Sequence, residues 1–191
     1  AANTGLPDGS GVPEDAGPML RALYESIPLV DTRGLAERFR DPKGPPAFLF
    51  WQKFCAETPD LRPSEVVATV SGRPLAAEIL RAYDAPFPDD SYKAGARRFP
   101  RLVPLAPDDP AVPDNRRAWE ALRRFSAPFL TAFSEGDPVT AGLEKRFQDE
   151  IPGAKGRKHV TIRGAGHFLQ EDKGEELAAA VLGFIADTPR A

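Results

Sequence analysis

The sequence predicts an α/β protein with a mostly parallel sheet and a separate all-helical section. Three observations predict it. Residues 113–191 alternate helical and strand patterns, the signature of parallel strands joined by crossover helices. The strand pattern at 129–133, FLTAF, is almost wholly apolar, as a strand covered on both faces must be. Residues 10–112 hold most of the 21 prolines and read only as short helices, with no strand among them.

Along the chain, residues 1–9 read as the end of a core strand running into turn residues (AANTGLPDG). Residues 10–112 form the helical section, with helices at 18–27, 45–57, 63–70, 75–83 and 91–99 separated by Pro, Gly and Asp. Residues 113–191 form the C-terminal part of the core: helix 114–125, strand 129–133, helix 141–150, strand 159–162 and helix 174–186. Trp119, Leu122 and Phe125 share one helical stripe, and Leu177, Val181, Phe184 and Ile185 another, both expected to be buried. Two strands and a stub are too few for a parallel sheet, so the N-terminal half of the sheet is expected from sequence upstream of Ala1.

Composition narrows the function classes. A net charge of −3 with interspersed signs gives no single-sign field for nucleic acid or an anionic membrane. The pairs Arg97-Arg98 and Arg116-Arg117 read as solvated faces. No apolar run is long enough to span a membrane and there is no charged-then-apolar leader, so a cytoplasmic protein is the expectation. Cys55 has no second cysteine to pair with and suggests no metal cluster; it reads as a small core residue.

In open parallel sheets, chemistry gathers at the carboxyl ends of the strands. SEGDPVT follows the first strand and carries Asp137; RGAGHF follows the second and carries His167, one of two histidines. Gly164 and Gly166 suit a tight turn leaving a strand. A carboxylate on one loop and an imidazole on the next can fix a histidine tautomer and stabilise its protonated form. Alternatives stay open: Asp before Pro is a common turn former, and a histidine on a loop is often only a packing residue. No nucleophile elbow occurs in the chain, and Ser126 and Ser134 lack its strand-turn-helix setting. A nucleophile that precedes the acid and base in sequence is therefore expected upstream of Ala1.

Several blocks, ANTGLP, AFLFW, YDAPFPDDSYKAGARRFPRLVP, PFLTAFSEGDPVT and GAGHFLQEDKGEELA, resemble in order the C-terminal two-thirds of a haloalkane dehalogenase. The resemblance is to the subfamily with an Asp acid and a cap tryptophan. It implies an α/β-hydrolase fold with a helical cap over residues 10–112. It further implies Asp137 as acid, His167 as general base, Trp51 as the cap-side halide donor, and Phe48, Phe99, Pro100, Val103 and Phe168 as substrate-binding residues. The implied partners are a small halogenated hydrocarbon, water and halide, with no cofactor and no metal. The nucleophile, the second halide-binding Trp and the oxyanion donors are not in this chain, which is therefore expected to be inactive alone. From the residues themselves, Trp51 reads first as an aromatic core anchor, with the donor role resting on the resemblance, and Trp119 reads as core. The stretch at 19–43 is longer than the family usually carries, which suggests an extra cap helix. Two other readings stand beside this one: an epoxide hydrolase using cap tyrosines (Tyr24, Tyr83, Tyr92), and a non-catalytic remnant or binding module.

Overall fold

The computed structural model describes residues 1–41, 43 and 46–188. It contains two compact units, one of Ala1–Gly5, Val70–Pro74 and Arg117–Ala191, the other of Leu6–Thr69 and Leu75–Arg116. Val70–Pro74, which lies within the helical section of the sequence, thus belongs with the sheet-bearing unit.

The helical unit is built from α1 (Ala16–Ser26), α2 (Thr32–Arg40), α3 (Ala47–Glu57), α4 (Pro63–Val70, whose last residue falls in the other unit), α5 (Ala77–Asp84) and α6 (Ala94–Arg98). Short 3-10 turns lie at Asp90–Lys93 and Phe99–Leu102. Local chemistry sets the boundaries. The Asp31 carboxylate accepts the Gly34 N–H at 2.7 Å and caps α2. Thr58 precedes a proline and is extended, which stops α3. Pro63 opens α4, where its missing N–H costs nothing. The expected start of the α3 helix at Pro45 lies outside the described residues. The helix α2 is absent from the proline-bounded patterns and lies within the long 19–43 stretch.

Helix α3 supplies most of this unit's core: Leu49, Phe50, Phe54 and Cys55 are buried with Ile27, Leu35 and Leu61. Burying each large side chain contributes roughly 1.5–3 kcal/mol. Burial pushes the Cys55 thiol up to about 12, against a smaller opposing effect of Arg97, so at neutral pH it is a packing residue rather than a nucleophile.

In the sheet-bearing unit, β1 (Ala132–Ser134) pairs in parallel with β2 (Val160–Ile162), Ala132 opposite Val160 and Ser134 opposite Ile162. Ala1 lies along the other edge of β1, its N-terminus donating to Leu130 O at 2.6 Å and its carbonyl accepting from Ala132 N at 2.9 Å. The connection between the strands passes through α8 (Glu144–Glu150), and α7 (Val112–Leu122) and α9 (Leu169–Ala186) flank it in sequence. Trp119 is buried as expected, stacked on Phe147 at 5.4 Å with the Arg146 guanidinium 3.9 Å from its ring centroid.

Several expected features differ. β1 begins three residues later than the apolar run. Pro128 has no N–H, and the Phe129 N–H is spent on Gly153 O, so of FLT only Thr131 reaches the ladder, its carbonyl accepting the Val160 N–H at 3.0 Å. The final helix begins at Leu169, but Lys173 is non-helical (φ −144, ψ 42), and the expected start at Gly174 matches the second of its two pieces. The stripes are not fully buried. Phe125 and Val181 are each 42% exposed and Ile185 is 57% exposed, while Leu177 and Phe184 are half-buried. Periodicity identifies which residues share a face but not what covers it. Here Leu177, Val181 and Phe184 line an open apolar groove of about 360 Å³ with Ala1, Ala2 and Phe129.

Candidate active site

The parallel ladder continues past both strands and draws the following loops together. The Glu135 N–H donates to Ile162 O at 3.0 Å and the Gly136 N–H to Ala165 O at 3.1 Å. Gly136 must be glycine, because a Cβ there would stand 2.8 Å from Ala165 O. Gly164 turns the second loop at φ +69, a left-handed conformation that favours glycine. The two candidate groups then meet: His167 Nδ1 is 3.0 Å from each Asp137 carboxylate oxygen.

The Asp137 side chain is fully buried and that of His167 is 25% exposed. Asp137 also accepts the Val139 N–H at 2.8 Å and the Thr140 hydroxyl. Burial pushes the Asp137 carboxyl up, but the bonds from His167, the Thr140 hydroxyl and the Val139 N–H together outweigh it, and its pKa lies below the ordinary carboxylate value. A carboxylate so held stays ionised and requires a proton on Nδ1, which leaves the Nε2 lone pair for chemistry. Among the described residues no group bonds Nε2 of His167.

The second histidine is wired the other way. His159 Nδ1 faces the Thr131 N–H at 3.1 Å, so it accepts, while Nε2 faces Ala154 O at 3.0 Å, so it donates. The two neutral histidines are expected to be opposite tautomers, Nδ1–H for His167 and Nε2–H for His159. Ring-nitrogen chemical shifts above the histidine titrations would show this; the same tautomer at both positions would contradict the wiring.

Around the dyad, the His167 N–H donates to Val70 O at 2.9 Å. Asp172 Oδ2 accepts both the Gly72 N–H at 2.6 Å and the Gly166 N–H at 2.7 Å. Phe168 sets its ring edge-on to the imidazole, centroids 5.2 Å apart. The Asn3 side chain bonds Ser134, Gly166 and His167. Sequence reasoning assigned no role to Asn3, Thr140, Asp172 or the 70–74 segment. The D-x-x-T spacing of Asp137 and Thr140, which lets a hydroxyl reach back to a carboxylate, was a signal that could have found Thr140; the others are non-local contacts without a sequence signature.

The remaining candidates lie in the helical unit. Trp51 is partly buried on α3 and stacks on Phe54, centroids 6.1 Å apart. Phe48, one turn earlier, is half-buried. The buried Gln52 amide donates to Pro100 O at 3.0 Å and Val103 O at 3.1 Å, joining α3 to the segment that the sequence paired with it. Pro100 is buried and Val103 half-buried, whereas Phe99 is 68% exposed. The structure therefore assembles Asp137, His167 and Phe168 in one unit, and Phe48, Trp51, Pro100 and Val103 in the other. Among the described residues no cluster of His, Cys, Asp and Glu could hold a metal ion.

No family model matches the chain. A haloalkane dehalogenase of Psychrobacter cryohalolentis is 49% identical over 143 residues, 75% of this chain and 47% of that protein. Another, of Mycolicibacterium paratuberculosis, is 46% identical over 138 residues, 72% of this chain and 46% of that protein. Among solved structures, haloalkane dehalogenase DpaA from Paraglaciecola agarilytica superposes with a TM-score of 0.64 at 26% identity, over 96% of this chain and 50% of that chain. Haloalkane dehalogenase DbeA from Bradyrhizobium elkani superposes with a TM-score of 0.58 at 24% identity, over 80% of this chain and 50% of that one, which supports the fold. Two parallel strands that present an acid and then a histidine from their carboxyl ends fit the α/β-hydrolase fold of these neighbours. By sequence over about three quarters of its length and by fold, the chain belongs with the haloalkane dehalogenases, and it spans about half the length of the curated relatives it matches.

Proposed function

We propose that the complete protein hydrolyses haloalkanes to alcohol and halide through an alkyl ester. The observation that carries this reading is the His167 Nδ1 contact with the buried Asp137 carboxylate, which leaves Nε2 unbonded. A carboxylate from the upstream half attacks the carbon that bears the halogen. A C–O bond forms, and the C–halogen bond breaks with its electron pair leaving on the halide. Nε2 of His167 then takes a proton from water as its oxygen adds to the ester carbonyl, and on collapse of that intermediate this proton passes to the departing alcohol while the second proton of water is lost to solvent, which returns the carboxylate. Asp137 orients the imidazole and stabilises its cation between those events. On the family resemblance, the Trp51 N–H is the donor for the departing halide, and Phe48, Phe99, Pro100, Val103 and Phe168 are the substrate-contacting side chains. Among the described residues no acceptor bonds the Trp51 indole N–H, which leaves it available for an anion. Epoxide opening would call instead on cap tyrosines, but the Tyr24 hydroxyl is engaged with Glu57 and Tyr92 is 61% exposed.

The upstream half also completes the sheet: its strands are expected beside Ala1 and over the apolar groove of α9. Residues 10–112 act as cap and 113–191 as the C-terminal core. A cytoplasmic location goes with this reading; no helix of the described residues is long and apolar enough to cross a membrane.

Halide release from a bromoalkane, measured for the complete protein and for residues 1–191 alone, tests the proposal. Stoichiometric alcohol and halide from the complete protein only is the expected result. Epoxide turnover without halide release would shift the assignment to the other reaction.

A further inference from the structure

Asn3 is the non-glycine residue with positive φ among those described, at +36°. Such backbone persists where its surroundings over-determine it, and it gathers at functional sites. Here the surroundings are the loop of the dyad. Asn3 Oδ1 accepts the Ser134 N–H at 2.9 Å, on the last residue of β1. Nδ2 donates to His167 O at 2.7 Å and divides its second hydrogen between Ser134 Oγ at 2.9 Å and Gly166 O at 3.1 Å. The Ser134 hydroxyl donates to Gly166 O at 2.7 Å.

The two carbonyls so held belong to the peptide units on either side of the His167 Cα. With the His167 N–H on Val70 O at 2.9 Å, three fixed backbone groups set both dihedrals of His167, and with them the direction in which its ring leaves the chain. That direction decides whether Nδ1 reaches Asp137, since the ring is only part-buried and packing alone does not fix it. From this geometry we infer that Asn3 is a positioning residue for His167: it pins the loop of the general base to the end of the strand that leads into the acid. The task needs a primary amide. One planar group must accept from Ser134 N–H and donate to two carbonyls, and at this length only asparagine does both. Aspartate would set a carboxylate oxygen against two carbonyl oxygens, and leucine keeps the volume with neither function.

The inference rests on His167 as the base, and the test separates the two. In the complete protein with ring-labelled histidine, the His167 signal is assigned through His167→Gln. Asn3→Asp and Asn3→Leu are expected to move or broaden the low-field Nδ1–H signal of His167 while leaving that of His159 in place. The same variants should slow ester hydrolysis roughly ten- to a hundredfold, as misplacement of a reacting group by about 1 Å does, with first-turnover halide release unchanged. An unchanged Nδ1–H signal in both variants would overturn the inference whatever the rates. So would a parallel loss of both chemical steps, which marks a merely structural role. A His167→Ala protein that still hydrolyses the ester would instead overturn the base assignment, and the spectral arm would still decide the position of Asn3.

Discussion

His167→Ala in the complete protein is expected to release one equivalent of halide and then stop, with the alkyl group retained as an ester. Displacement needs only a carboxylate, whereas ester hydrolysis needs a base to deprotonate water, and positioned general bases contribute about 10²–10⁴ in rate. On the proposed mechanism the quarter-exposed imidazole, its Nδ1 turned to Asp137, serves the second step and not the first. Mass spectrometry after mixing with a bromoalkane should find the protein heavier by the alkyl group. Sustained turnover with no adduct would remove His167 from the role of base. Asp137→Asn should slow the same step, since a neutral amide neither holds the Nδ1–H tautomer as firmly nor offsets the cation.

Trp51→Phe should cost ten- to a hundredfold in carbon–halogen cleavage with little change in stability. The substitution keeps most of the aromatic volume and removes the N–H; one hydrogen bond to a charged group in a dry site contributes about 1.5–3 kcal/mol. The stacking of Trp51 on Phe54 at 6.1 Å is available to phenylalanine as well, which is why the fold should tolerate it. Halide should also quench the fluorescence of this variant less than that of the native protein. A drop in thermal stability with unchanged turnover would make Trp51 an aromatic anchor of the α3 core.

The meeting of Asp137 and His167 was legible because each lies a few residues past an apolar run, where parallel sheets collect ligands. Trp119 was legible as core because helical spacing and size agreed. Other features depended on contacts that no local pattern carries. FLTAF reads as one strand, yet Pro128 and the Phe129 bond to Gly153 divert its first half. Val181 and Ile185 lie on an apolar stripe, but both are exposed, and Val181 lines an open groove, which spacing alone does not reveal. Val70–Pro74 reads as a break between cap helices, but its carbonyl and N–H groups hold the histidine loop. Asn3 has the composition of a turn residue, and its partners lie more than 130 positions away. Helix α2 was expected only as an extra helix without bounds, for a different reason: its capping signal at Asp31 was present, but the apolar positions behind it are few.

Because Asp137 and His167 each follow one of two adjacent parallel strands in fixed register, the distance between them is ruled by strand spacing, about 4.8 Å, and by the first turn after β1, not by the later part of the connection on which α8 sits. Within that connection two turns have room to vary. The chain turns through Gly142 (φ +88) and Gly156 (φ +70), both with open space where a side chain would go. Segments could be inserted there, or the chain reopened to make new termini, without moving the dyad. The opposite holds at Gly166, where even one methyl carbon would stand 2.5 Å from Val70 O. Evolutionary novelty, and any grafting of the Asp137–His167 pair into another parallel sheet, therefore has room at these two turns and almost none beside the pair itself.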